Sequence, residues 1–318
     1  AGRTPSLPLK TTSIQHWGQA LHHYAQSKEV LASLPLWTEL AKTSRNDQPL
    51  PVDAPQPGVN DWRSAATQSA MLGAEETQAL MTNVTTNWRT QPHDLMLLAL
   101  EQTLREWTGA PAFTVDVEAH GREAVSGELD LLRTIGWFTS IYPVRLAHGL
   151  PATHTPEQMV DSLRQLRDAQ RQLPAGGIAF GVLRYLHDDA RIRNELDQAS
   201  PVLFNYLGIW RKQTTPGAMF GFAQPLMAVQ RSNGIRPYQL EINAAVFAGR
   251  LRVDWTYSKN LHRDGTVAQM AQRFITHLRA LIRYCTKHVD DKRSTLEFPT
   301  ADLSQHDLDD LLDEFGEH

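Results

Sequence analysis

The chain predicts an α/β fold, a mixed sheet flanked by helices, and three observations carry that prediction. Residues 238–257 alternate apolar and polar side chains on both sides of Ala248-Gly249, which reads as a β-hairpin. From about Thr266 to Cys285 the apolar spacing is helical instead, gathering Phe274, Leu278, Leu281 and Ile282 on one face. Between these patterns and the N-terminus, helix-like and strand-like stretches follow one another, the order expected of a mixed sheet with helices packed on it.

Taken in order, residues 12–26 predict an amphipathic helix with Ile14, Trp17, Leu21 and either Tyr24 or Ala25 on one side. Four prolines between Pro49 and Gly58 mark a linker, because proline removes a donor and stiffens the backbone. The division drawn from this is a lobe remnant at 1–48, a linker at 49–60, a main lobe at 61–299 and a tail at 300–318. The first 48 residues are too few for a core of their own and are expected to pack on another surface. Residues 74–88 and 93–107 carry helical spacing, the second through Leu97, Leu100, Leu104 and Trp107, with Gly109 as its stop. Residues 112–118 alternate as a strand, placing Phe113, Val115 and Val117 opposite Thr114, Asp116 and Glu118. Thr155-Pro156-Glu157 starts a helix that runs to about Gln172.

With 318 residues, 41% hydrophobic and 21% charged, the chain has the composition of an ordinary globular protein. A net charge of −4 argues against a nucleic-acid partner, which calls for a basic stripe. The single cysteine, Cys285, sits on an apolar helical face and excludes an internal disulfide. One cysteine fits a reducing, cytoplasmic setting, and with no apolar run of 18 residues no membrane partner is expected. The first residue is not methionine, so the chain is expected to be cut or processed from a longer polypeptide. Thirteen histidines show no metal-ligating spacing, and Gly176-Gly177 lacks the lysine of a phosphate loop, so no metal or directly bound cofactor is expected.

Chemistry concentrates in Glu118-Ala119-His120-Gly121-Arg122-Glu123, in the aromatic run from Arg133 to Pro143, and in Phe204-Asn205-Tyr206-Leu207-Gly208. A carboxylate at a strand end with His120 and Arg122 nearby would serve as a general base tuned by desolvation and charge. The same residues also fit a solvated strand end with a local Glu–Arg pair. Asn205 and Tyr206 fit either a site or a buried strand with its polar groups satisfied. Arg133 would pair with a carboxylate near the site or anchor the aromatic segment through its fork of donors.

These runs resemble the motifs of epimerization domains from nonribosomal peptide synthetases. The family's Glu-Gly-His-Gly-Arg-Glu is matched at 118–123 apart from Ala119. Arg133-Thr134-Ile135-Gly136-Trp137-Phe138-Thr139, with Tyr142-Pro143, matches in full, as does 204–208. At 174–181 one glycine of the family is replaced, by Ala179. Related condensation domains lack the Glu-x-His-Gly-Arg pattern, which places the sequence on the epimerization side.

The resemblance implies a chloramphenicol-acetyltransferase-like fold with an incomplete N-terminal lobe, since the family's His-His-x-x-x-Asp-Gly motif is not found. His22-His23 is a decoy, with Ser27 and Lys28 where Asp and Gly would stand. It implies L-to-D inversion at Cα of an aminoacyl or peptidyl thioester carried on the phosphopantetheine of a carrier protein. Glu118 would be catalytic, with Asn205 and Tyr206 on the enolate and His120, Arg122, Arg133 and Trp137 in support. The implied partners are a peptidyl carrier domain, the lobe bearing the histidine motif and a downstream synthetase subunit. The last would meet the tail, which holds seven acidic residues over 300–318 with Leu303, Leu308, Leu311, Leu312 and Phe315 at helical spacing. A condensation-type acyltransferase and a non-catalytic docking fragment are the alternatives.

Overall fold

The computed structural model describes residues 8–123, 125, 129–147, 156–198, 200–210 and 234–289. The predicted tail helix and the Thr155 cap lie outside them. The chain divides into two compact units, one of Ala1–Asn46, Asp116–Val144 and Leu173–Ala199, the other of Asp47–Val115, Arg145–Gln172 and Ser200–His318. Residues 116–144 and 173–199, grouped by sequence with the main lobe, fold with the N-terminal helices instead.

The first unit is mainly helical. Its N-terminal helices are α1 (Ile14–Ala25), α2 (Lys28–Ala32) and α3 (Leu34–Ser44). Ser13 caps α1 by accepting from the His16 amide at 3.1 Å, and Ser27 caps α2 through Val30 at the same distance. The capping serine between α1 and α2 breaks what would otherwise be one longer helix. Trp37 of α3 is fully buried and its ring lies 5.4 Å from that of Phe180 in a later helix of the same unit, Ile178–Leu186.

The second unit holds most of the sheet. Along the chain the strands are β1 (Ala65–Met71), β2 (Phe113–Ala119), β3 (Ser140–Leu146), β4 (Val202–Trp210), β5 (Leu240–Phe247) and β6 (Arg250–Ser258). They lie in the order β1-β6-β5-β4-β2-β3. The predicted hairpin is β5–β6, antiparallel, its turn made by Ala248 and Gly249 at φ 48° and 77°. Because β4 pairs parallel with β5, the sheet is mixed, as expected. The sequence does not predict β1: its Ala-Ala-Thr-Gln-Ser-Ala-Met run has little apolar alternation, and antiparallel pairing to β6 defines it.

The two long helices of this unit, Pro92–Thr108 and Asp264–Lys287, pack on each other, and the second lies on β1 and β6, with the Trp255 and Phe274 rings meeting edge-on at 5.9 Å. The first ends at Gly109 in a left-handed cap at φ 74°, as its sequence predicts. Residues 74–88 depart from the single helix expected. A π-helical turn, Leu80–Val84, separates helices Ala74–Ala79 and Thr85–Trp88. Here the Thr82 and Thr85 hydroxyls donate to backbone carbonyls a turn earlier, which competes with regular helix bonding. The proline-rich stretch is no free tether either: the Asp53 amide donates to the Leu261 carbonyl at 2.9 Å, and the Asp53 carboxylate accepts from the Arg263 amide at 2.8 Å.

Candidate functional site

Glu118 is the penultimate residue of β2, and the strand's alternation decides its surroundings. Val115 and Val117 are buried, and Glu118 points to the other side of the strand, half-buried. Burial raises the proton affinity of its carboxyl above the ordinary carboxylate range, and a hydrogen bond with the Thr139 side chain opposes that rise. The result is a carboxylate that is only partly hydrated.

Beyond Glu118 the chain makes a tight turn with a steric reason for each residue type. Gly121 has φ 63°, and a Cβ there would stand 1.7 Å from the Phe138 carbonyl oxygen, so only glycine fits. Arg122 reaches past it: the guanidinium lies 4.1 Å from the centroid of the Phe138 ring and donates to the Leu131 and Thr134 carbonyls, the latter at 3.0 Å. The Thr134 hydroxyl in turn donates to the Thr12 carbonyl at 2.6 Å. Arg122 therefore acts as a clasp that fixes Phe138, and with it the neighbouring Thr139. His120 is exposed, 3.4 Å from Glu123 through Nε2, and its Nδ1 accepts from the Arg122 amide at 3.0 Å. Its contacts are with its own turn.

Two further motif segments join this turn. Gly176, at φ 58°, lies against Glu123, where a Cβ would approach the carboxyl carbon to 2.8 Å, and Gly177, at φ 89°, lies against the Tyr142 ring. Ala179, by contrast, occupies an ordinary buried helical position, where a methyl group is accommodated. Ala119 ends β2 in the same undemanding way. Arg133 donates to the Leu9 carbonyl, the anchoring role rather than a pairing with a site carboxylate. Trp137 is 85% exposed. Thr139, the last residue of the matched aromatic motif, directly follows the phenylalanine that Arg122 holds.

Asn205 and Tyr206 belong to the second unit, on β4, opposite Asn243 and Ala244 of β5. As consecutive strand residues their side chains leave the sheet on opposite faces, so they do not share one environment. Asn205 is buried. The Tyr206 hydroxyl lies 3.5 Å from the Met81 sulfur on the π-helical turn, and burial raises its proton affinity. Met81 also lines a cleft of about 310 Å³ with Thr77, Ile209, Trp210 and Val246. Gly208 explains itself through its backbone: φ is 75° where the β4–β5 register slips between Tyr206 and Ile209, and the space around it is open. Among the described residues no three metal-ligating side chains converge.

A mixed six-stranded sheet flanked by helices, with a half-buried glutamate closing one strand, defines an α/β protein of the chloramphenicol-acetyltransferase-like class. The particular family is fixed by comparison. Residues 1–304 match the condensation-domain family model, and the chain belongs to that family, which nonribosomal peptide synthetases carry. It is 35% identical over 311 residues to one subunit of linear gramicidin synthase from Brevibacillus parabrevis, and 36% identical over 317 residues to another subunit of the same synthase. The matches cover 97% and 98% of this chain and 6% of each synthase polypeptide. Among solved structures, the epimerization domain from the third module of tyrocidine synthetase B aligns with a TM-score of 0.77 and 30% identity, over 89% of this chain and 62% of that one. A cyclization-docking bidomain from Sorangium cellulosum shares the fold, with a TM-score of 0.60 at 17% identity, over 87% of this chain and 54% of that one.

Proposed function

We propose that this chain carries the glutamate half of an epimerization site, inverting Cα of an aminoacyl or peptidyl thioester presented on a carrier protein's phosphopantetheine. The observation that carries this reading is Glu118, half-buried at the end of β2, its proton affinity raised by burial. A carboxylate so placed suits removal of a proton from a carbon acid better than a fully hydrated one does. The thioester acidifies the α-hydrogen, Glu118 takes or returns a proton on one face, and a group on the other face completes the inversion. Of the two residues that the resemblance assigns to the enolate, Asn205 and Tyr206, at most one can face it, since they leave β4 on opposite faces. The epimerization reading rather than condensation rests on the Glu-x-His-Gly-Arg turn and on the likeness to the tyrocidine domain.

The histidine of the opposite face is assigned to a partner polypeptide segment carrying the His-His-x-x-x-Asp-Gly motif. The first unit offers apolar surface for such a segment: Leu132, Ile135 and Trp137 are 88%, 94% and 85% exposed. The carrier domain is the substrate-bearing partner, and the acidic tail is assigned to a downstream synthetase subunit.

The test is exchange at Cα. The protein, with the segment bearing the histidine motif supplied in trans, is incubated with an aminoacyl-loaded carrier in heavy water. Deuterium at Cα together with a shift of the D:L ratio, both lost in Glu118→Gln, is the expected result. Peptide-bond formation with a second loaded carrier, and no exchange, would identify a condensation-type enzyme. Carrier binding without either reaction, equal in Glu118→Gln, would identify a docking fragment.

A further inference from the structure

We infer that the outer edge of β1 is a self-association site, where a second copy of this chain pairs antiparallel and continues the sheet across a two-fold axis. The inference concerns the second unit alone and does not depend on the reaction.

Hydrogen bonds at the two ends of β1 show which backbone groups face outward. The Lys259 amide donates to the Ser64 carbonyl, and the Leu72 amide to the Leu251 carbonyl, each at 2.9 Å. Both bonds join residues that continue the β1–β6 register, which runs from Ala65↔Ser258 to Met71↔Arg252 without a shift. In an antiparallel ladder bonded pairs alternate with unbonded ones, so Ala66, Gln68 and Ala70 bond to β6. The N–H and C=O groups of Ala65, Thr67, Ser69 and Met71 therefore point away from it. Among the described residues β6 is the one strand paired with β1, which ends the strand order of the sheet.

This edge carries none of the usual devices against pairing with another chain. The seven residues of β1 include no charge and no proline, and its pairing has no bulge. The strand at the other end of the sheet, β3, contains Pro143 and Arg145. The edge is also firmly held by its own sheet. On the open face the Ser69 hydroxyl donates to Asp254 at 2.6 Å, and the Thr67 and Thr256 hydroxyls lie 3.1 Å apart. On the opposite face Ala70 is buried, and the helix Asp264–Lys287 packs on the strand. A strand already fixed in this way loses little freedom when it pairs.

The register singles out a second copy as the occupant. An axis through residue 68 sets Thr67 opposite Ser69 of the second copy, and Ala65 opposite Met71 of the second copy. Every outward N–H and C=O then meets a partner, whereas an axis through residue 67 or 69 carries Met71 or Ala65 past the end of the facing strand. Read across the joined sheet, Asp254 and Ser69 align with Thr67 and Thr256 of the second copy, and Arg252 and Met71 with Ala65 and Ser258 of the second copy. No row brings two like charges together, so pairing meets no repulsion within the sheet.

The test is sedimentation equilibrium of the full chain over a range of concentrations. The wild type is expected to pass from monomer to dimer as concentration rises. Ser69→Pro removes an outward N–H, leaves the ladder to β6 intact, and should stay monomeric. Ser69→Ala loses the same contact with Asp254 but keeps the N–H, and should dimerise as the wild type does. On the axis, residue 68 faces its own copy in an unbonded pair with Cα atoms about 4.5 Å apart, within reach of a disulfide. Gln68→Cys should therefore give a covalent dimer on mild oxidation, and Ser69→Cys, which faces Thr67 of the second copy, should not. The native Cys285 is buried and does not compete. A wild type that is monomeric at every concentration overturns the inference. A dimer that folded Ser69→Pro leaves intact also overturns it, as does cross-linking of Ser69→Cys in place of Gln68→Cys. Should Ser69→Pro lose its fold by circular dichroism, the two cysteine variants decide the matter.

Discussion

Gly121 and Gly208 both stand at positive φ, and the structure separates the reasons. At Gly208 the space is open, so a side chain there meets only the backbone's preference, a cost of about 1–2 kcal/mol. At Gly121 the same preference is joined by a carbonyl oxygen 1.7 Å from where a Cβ would be. Gly121→Ala must therefore push Phe138 away, and Phe138 is held by Arg122 and Trp17. We expect Gly208→Ala to lower the unfolding free energy by about 1–2 kcal/mol and Gly121→Ala by more than about 2 kcal/mol. Urea denaturation of the two variants checks this, and equal losses would refute the steric account of Gly121. Since Gly121 sets the turn that follows Glu118 at the end of β2, Gly121→Ala should disturb the Glu118 titration while Gly208→Ala leaves it alone.

At the scale of elements, the second unit is secured by buried polar groups as well as by its apolar core. Arg236 has no exposed side-chain surface and donates to Glu241 at 3.0 Å and to the Thr256 carbonyl at 3.0 Å, with Trp62 beneath its guanidinium. Desolvation pushes Arg236 down and Glu241 up, so burial outweighs their attraction; such a pair adds orientation more than net stability. His262 is the harder case. It lies between β6 and the helix Asp264–Lys287, 1% exposed, its ring edge-on to Trp107 at 5.7 Å, and neither ring nitrogen has a hydrogen-bond partner. Burial lowers its proton affinity, partly offset by Asp53 and reinforced by Arg236. The unfolded chain, with an ordinary histidine near pH 6.5, therefore takes up the proton first as pH falls. His262 is neutral for stability above that pH and costs stability progressively below it, until the folded form also protonates. His262→Leu should flatten the loss of stability between about pH 7 and 5; the same slope in both proteins, read from urea midpoints, would show that other groups carry it.

Elements with strong periodicity are legible in the sequence for the reason that they bury one face. The hairpin and the helix Asp264–Lys287 belong to this group, whereas β2 and the helix Pro92–Thr108 are patterned in sequence yet buried on nearly all sides. The strand β1 and the π-helical turn do not, because small residues and threonine hydroxyls encode little until a partner strand or a carbonyl is beside them. The site is legible in part. Glu118 and the glycines of its turn stand out as a dense motif, whereas the work of Arg122 depends on where Phe138 ends up after folding. That placement is set by contacts from residues over a hundred positions away, such as Trp17, which no local pattern displays.

On the scale of the whole molecule, the first unit combines a firmly bound segment with an unusual surface. Residues 130–134 are tied down on one side, through Thr12 to Asp130, Arg133 to Leu9, and Thr134 to Thr11 and Thr12. On the other side Leu132, Ile135 and Trp137 face solvent almost completely, with Leu9 and Ile14 beside them at 91% and 46% exposure. Ile14 packs against Gly136, where a Cβ would meet it at 2.9 Å, which leaves no room for a larger residue in the segment. Large apolar side chains held in place and left uncovered mark an association surface, since burying each would contribute about 1.5–3 kcal/mol. The solved tyrocidine domain extends well beyond the part this chain matches, which covers 62% of it. A polypeptide corresponding to that further part is the occupant expected here. Replacing Leu132, Ile135 and Trp137 together by serine should then abolish its binding, and reduce dye binding and self-association of the isolated protein, without lowering the melting temperature, because none of the three supports the unit's own core. Retained binding with a lower melting temperature would mean the reverse: that these side chains serve the unit itself and that its partner docks elsewhere.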